Sequence, residues 1–155
     1  METATLPEAR ADQQGEQTFV TLTVGEQLCG IPVLTVRDIL GPQQITRIPL
    51  AMPEVAGSLN LRGRIVTAID LRRRLGFEGK DANSRPMSVV VEHGGELYSL
   101  LVDQVGEVLS LPSHQFEANP ATLDPRWREF SAGIYRLKDR LLAVLDVDHL
   151  LDLNS

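Results

Sequence analysis

The side chains with the widest chemical repertoire in this sequence are three histidines, one cysteine, two aspartates at matching places and a run of arginines. His93, His114 and His149 have no i, i+4 partner and no carboxylate motif beside them. A metal centre needs ligands that converge, so three surface histidines and no metal site are expected. Cys29 lies inside the apolar run QLCGIPV with no cation near it in sequence. Such surroundings keep a thiol protonated and make it a small hydrophobe. Asp70 and Asp146 each close an apolar run just before a short helical pattern. Two carboxylates can share acid–base work, which leaves a small enzyme as one alternative. A pair of helix caps explains the same placement without chemistry. Arg72, Arg73 and Arg74 suit a solvated helix face, and no aromatic is interleaved with them to stack on bases. Trp127, in DPRWREF, fits either a plug on the core or an anchor in an interface. The sequence has no phosphate-cradling glycine loop, nucleophile elbow or kinase catalytic loop. No catalytic residue and no cofactor are therefore expected.

Bulk properties point the same way. Fifteen basic residues stand against 21 acidic ones, a net charge of −6, which argues against a phosphate-backbone binder. The single cysteine excludes an intrachain disulfide and fits a reducing compartment. No apolar stretch approaches the ~20 residues of a membrane helix, and the N-terminus has no apolar signal-peptide core. A cytoplasmic protein that neither enters the membrane nor binds nucleic acid is the expectation.

The elements that must position these groups are mostly strands. Residues 1–16 are polar and read as a flexible tail. From Gln17 onward the chain alternates apolar and polar positions between glycine and proline turns, with one domain expected over 17–155. FVTLTV and QLCGIPV read as a hairpin about Gly25-Glu26. In VLTVRDIL, Val33, Val36 and Leu40 recur at i, i+3 and i+7, which predicts a short helix; its apolar stripe suits core, with Val36 and Asp38 at the rim of a groove as the sharper reading. ITRIP predicts a short strand. The stretch Gly57 to Leu75, GSLNLRGRIVTAIDLRRRL, organises the rest: a half-buried strand, a tight turn at Gly63, a strand covered on both sides and a helix start capped by Asp70. Arg62 is the charged group at that turn, where it can reach a partner. MSVVVE and ELYSLLV form another hairpin that VDQVGEVLSL continues. Residues 112–128 read as an irregular connection. A last hairpin and the short helix DHLLDL end the chain.

The pattern repeats. A shift of 76 places Gly57 on Gly133, Arg64 on Arg140 and Asp70 on Asp146, and a shift of 69 places Gly25 on Gly94, Val36 on Val105 and Leu40 on Leu109. Two similar β modules in tandem follow, all-β with short helices, split near 80–86. The junction between two such lobes is a ready place for a partner.

The segments VLTVRDIL, ITRIP, GSLNLRGRIVTAIDLRRRLGF, VDQVGEVLSL and GIYRLKDRLLAVLDVDHLL closely resemble the CheW-like coupling proteins of bacterial chemotaxis, from about Gln17 to Leu153. The resemblance implies two small five-stranded β barrels in tandem and no enzymatic activity. It implies an adaptor that couples chemoreceptor tips to the regulatory domain of the histidine kinase CheA, at the inner face of the membrane in receptor arrays. Other CheW-like domains in rings are a further class of partner. Carried over position by position, Val36, Asp38, Leu61, Arg62 and Gly63 are the implied receptor contacts, and Ile45 the implied kinase contact. The family commonly has Glu where this chain has Asp38, so that side chain is one methylene shorter here. The same scaffold in a non-flagellar chemosensory pathway, or a detached piece of a kinase, are the alternatives within the resemblance.

Overall fold

The computed structural model describes residues 15–77 and 85–152. Most of the expected tail and most of the polar loop at 79–85 lie outside the described residues.

The chain opens with β1 (Glu16–Val24) and β2 (Gln27–Pro32), then a 3-10 turn (Val33–Thr35) and β3 (Val36–Leu40). The expected helix over VLTVRDIL is therefore a single tight turn followed by a strand. The turn resets the phase, and from Val36 onward half-buried Val36, Asp38 and Leu40 alternate with exposed Arg37 and Ile39. That is the period of a pleated strand. ITRIP is no strand either; Thr46 alone makes a bridge, to Ser58. β4 (Val55–Leu61), β5 (Arg64–Asp70) and the helix α1 (Leu71–Arg74) follow, then β6 (Met87–His93), β7 (Glu96–Val102) and β8 (Gln104–Pro112). The 112–128 connection holds a 3-10 turn (Ser113–Gln115) and the start of α2 (Pro125–Phe130). β9 (Ser131–Arg136), β10 (Leu141–Leu145) and α3 (Val147–Leu150) complete the order.

The strands form two five-stranded sheets, ordered β8-β1-β2-β10-β9 and β3-β6-β7-β5-β4. The two orders become one another under the repeat, in which β1 to β5 match β6 to β10. The sheets do not divide the chain near 80–86, however. The hairpin β1–β2 sits between β8 and β10, and β6–β7 sits between β3 and β5. Each sheet thus combines the first hairpin of one half with the last three strands of the other. The cause is the length of two connections. Only the turn Val33–Thr35 separates β2 from β3, and only Asp103 separates β7 from β8. Links that short carry the chain onward into the other sheet. The exchanged hairpins join by parallel pairs, β2 with β10 and β5 with β7.

Isolated bridges close both sheets toward barrels. Thr46, beyond β3, bridges to Ser58 of β4, and Glu117, beyond β8, bridges to Ile134 of β9. Strand alternation then sorts side chains to two interiors and a shared layer. Phe19, Tyr135, Leu142 and Val144 fill one barrel. Leu59, Val66, Ala68, Val90, Leu97 and Leu101 fill the other. The opposite faces of the same strands, with Ile69, Leu100 and Ile134 among them, meet Leu150 of α3 in the largest cluster, between the sheets. β5 accordingly buries Val66 and Ala68 on one side and Ile69 on the other, which is why its sequence runs nearly all apolar.

Candidate functional site

Two of the residues carried by the family motif meet. β4 and β5 pair in register from Leu61↔Arg64 backward, so the hairpin tip is Arg62-Gly63. Both have positive φ, 52° and 84°, as a two-residue turn matching strand twist requires. Glycine takes that backbone freely; an arginine there costs about 1 kcal/mol. The Gly63 N–H donates to Asn60 Oδ1 at 2.9 Å, which tightens the loop. The strained turn throws the Arg62 side chain across to β3, where Nη2 lies 3.1 Å from Asp38 Oδ2. The pair is an ion pair without aligned hydrogen bonding, since that Asp38 oxygen is buried and accepts no well-directed bond among the described residues. The other Asp38 oxygen accepts from the Ile39 N–H at 2.9 Å. Arg62 remains 77% exposed over a 24% exposed partner. An exposed pair of this kind is worth about 0.5 kcal/mol, so Arg62 is free to exchange Asp38 for an incoming carboxylate.

The other expected contacts spread out around this pair. Val36 packs against the core between the sheets. Leu61 and Ile45 pack against the interior of the second barrel. Ile45 therefore supports the surface from beneath. The expected open junction between lobes is filled by the shared core, and what reaches the surface beside it are two edge strands, β3 and β8. Val36 and Val105 are both half-buried against that core. Ile39 and Val108 are both exposed. Under the shift of 69, Val36 falls on Val105, Asp38 on Glu107 and Ile39 on Val108. The candidate surface is thus built twice, and the sequence reading took in only the copy on β3. The shift that pairs Val36 with Val105 carries the signal for the second copy.

The remaining reactive side chains serve the fold. Asp70 accepts from the Arg72 N–H at 3.0 Å and Asp146 from the His149 N–H at 3.1 Å, so each caps its helix. Cys29 is buried, and burial pushes its thiol pKa far up. His93 faces Asp148 at 3.1 Å, and His149 lies 3.7 Å from Glu129. Trp127 is buried in the shared core and packs beside Phe77.

The arginine run is not a simple solvated face. Arg74 reaches the α3 end of the chain, donating to the carbonyls of Leu150 at 2.7 Å and Asp152 at 3.1 Å, over the Phe130 ring. Arg72 grips Asp103 with two bonds of 3.1 and 2.8 Å, which together with the carboxylate's charge hold its guanidinium pKa above the usual value. Asp103 is the one residue between β7 and β8, and it also accepts from the Gly25 N–H at 2.7 Å. The crossover between sheets is therefore clamped to α1 and to the turn between β1 and β2. Arg72→Ala is expected to lower stability by about 2 kcal/mol, the worth of a paired, partly buried charged bond. Thermal unfolding should show a midpoint about 4–8 °C lower.

Comparison with known proteins agrees with this architecture. The model of the CheW-like domain family matches residues 18–155. The chain belongs to the CheW-like family. The CheW-like chain is 33% identical to the chemotaxis protein CheW of Klebsiella aerogenes over 87% of its own length and 81% of that protein's. It is 26% identical to the chemotaxis protein CheW of Bacillus subtilis, over 91% and 90%. Among solved structures it matches the scaffolding protein TtCheW of Thermoanaerobacter tengcongensis with a TM-score of 0.79 at 28% identity, over 90% and 94% of the two chains. Its role is accordingly that of a chemotaxis scaffold, from a family whose members are not enzymes. Among the described residues no helix is long and apolar enough to cross a membrane.

Proposed function

We propose that this chain is a non-enzymatic adaptor that couples chemoreceptors to a CheA-type histidine kinase. The observation that carries the reading is the Arg62 turn. An exposed guanidinium on a strained backbone is balanced on a weak internal pair, inside the motif that the family resemblance singled out. Receptor hairpins are long helical rods, and an apolar strip with one charged anchor suits such a rod. Val36, Asp38, Leu61, Arg62 and Gly63 form or support that receptor face. The kinase is held on a second face, around the segment that Ile45 anchors. No bond is made or broken by this chain; signal passes as a change in relative geometry. Its place is the cytoplasm, at the inner face of the membrane.

Reconstitution tests this. Receptor-bearing membranes, the histidine kinase encoded with this chain, and the purified chain are mixed and sedimented. The kinase is expected to pellet with the membranes only when the chain is present, and its autophosphorylation to respond to receptor ligand only then. Kinase that pellets equally without the chain would end the proposal.

A further inference from the structure

The repeat relates the two barrels, yet their interiors are not filled alike. Position for position, Phe19, Tyr135, Leu142 and Val144 of the first barrel fall on Ser88, Leu59, Val66 and Ala68 of the second. Each is smaller in the second barrel. In the first, the Tyr135 ring packs against Phe19 at 5.6 Å and Phe116 at 5.5 Å. Thr46 and Glu117 make matching bridges, so Ile45 answers to Phe116. The three rings are thus replaced by Ser88, Leu59 and Ile45. Gly30 reports how full the first barrel is. A Cβ there would lie 3.1 Å from Leu142 Cδ2 and 3.2 Å from Phe19 Cβ. The same position in the second barrel is Ser99. It carries a side chain because the two groups that crowd Gly30 have become Val66 and Ser88. The exchanges that run the other way, Gly30 to Ser99 and Pro32 to Leu101, add back less than the exchange of Phe19 for Ser88 takes away.

Two hydroxyls share that roomier interior. Ser88 lies two residues from Val90 on β6, and Ser99 lies two residues from Leu101 on β7; Val90 and Leu101 both fill the second barrel. Strand alternation therefore turns both serines inward. Both are fully buried, and among the described residues neither hydroxyl has a hydrogen-bond partner. A buried hydroxyl left without a partner is costly. Val90 pairs with Ser99 and Ser88 with Leu101, so the serines are diagonal neighbours across β6 and β7. Diagonal residues stand about 7–8 Å apart, too far for the hydroxyls to bond each other directly. Two bonds of about 2.8 Å through one shared oxygen span the gap that remains. The occupant must be small and able both to donate and to accept. An apolar occupant leaves both hydroxyls unpaired.

We propose that the second barrel binds water inside it, one molecule held between the Ser88 and Ser99 hydroxyls. The site does not rest on the adaptor reading above and stands whichever partners the chain serves. It makes the two halves of one repeat differ in kind: one barrel is closed by packed rings, the other by a hydrogen-bonded water.

Crystallography and a mutant cycle on the full chain test it. A high-resolution crystal structure of the parent is expected to show solvent density within hydrogen-bond distance of both serine oxygens. Absence of that density overturns the site. So does xenon taken up at that place under pressure, since xenon enters dry apolar cavities. Ser88→Ala and Ser99→Ala each leave the water one partner short, and each is expected to lower the thermal midpoint by about 3–6 °C. The double variant should lose less than the sum of the two, because both substitutions disrupt the same bound molecule. Dry, unpaired hydroxyls predict the opposite sign: each alanine then raises the midpoint, and that result overturns the proposal. Losses that add in full overturn the sharing of one molecule by the two serines. The parent's density decides even where a variant fails to fold.

Discussion

Gly57→Ala is expected to cost about 4 kcal/mol and to lower the thermal midpoint by about 10–15 °C. Gly57 sits on β4 at φ 150°, where a side chain is strained whatever the space around it. A Cβ there would also overlap the Thr46 carbonyl oxygen and approach Ile45 Cγ2 to 2.7 Å. The obstruction is backbone, and it is the backbone that closes the barrel, since Thr46 and Ser58 exchange two bonds of 2.8 Å beside it. Backbone cannot rotate away, so the bridge must open or β4 must move. Three comparisons separate the contributions. Gly63→Ala has a positive φ but, among the described residues, nothing within 4 Å of the new carbon, so only strain is added, about 1 kcal/mol. Gly133→Ala, the repeat counterpart, meets the Glu117 carbonyl at 2.6 Å and the Phe116 ring. That ring is partly exposed and has room to swing, so a cost between the other two is expected. Gly41→Ala, with open space and no positive φ, should be close to neutral. A Gly57→Ala midpoint within 3 °C of the parent would show that the closing bridge contributes little.

The hairpins and the caps were legible in the sequence because each is a local signal, and the repeat because the same local signals recur in the same order. Glycines at Gly25, Gly63 and Gly94 mark reversals, and Asp70 and Asp146 announce helices that they do cap. Sheet membership was not legible. Alternation reports that β1 and β2 are strands with a buried face, but not which strands lie beside them. That is decided by how far the chain can return across Val33–Thr35 and across Asp103, and it produces two interleaved sheets where a linear reading divides the chain near 80–86. The helix expected over VLTVRDIL failed for a related reason, because one tight turn before a strand mimics a helical spacing over eight residues. The arginine run shows the same limit. Charge alone fits a solvated face, yet Arg72 and Arg74 are spent on contacts 31 and 76 residues away in sequence. At the candidate site, the Arg62 turn was legible as a turn with a charge at its tip. Its pairing with Asp38 was not read from spacing, since it depends on β3 and β4 lying in one sheet.

Arg62→Glu is expected to weaken sedimentation with receptor membranes about a hundredfold, the effect of reversing one charge in a close pair. The variant sets a carboxylate beside Asp38, so it both removes the donor and repels the acceptor it would offer. It also leaves ambiguity, because like charges at the tip strain the hairpin itself. Arg62→Asn resolves that. Asn-Gly is the favoured pair for a turn with both residues at positive φ, and the internal pair it deletes is worth only about 0.5 kcal/mol. The variant should therefore melt at or slightly above the parent while binding receptor about tenfold more weakly. A protein that gains stability and loses its partner at one position identifies an arginine kept for binding rather than folding. The salt dependence adds a second line: parent binding should fall as salt rises, and Arg62→Asn binding should fall less steeply. Receptor sedimentation unchanged in both variants would remove Arg62 from the contact and return it to the role of an exposed turn residue.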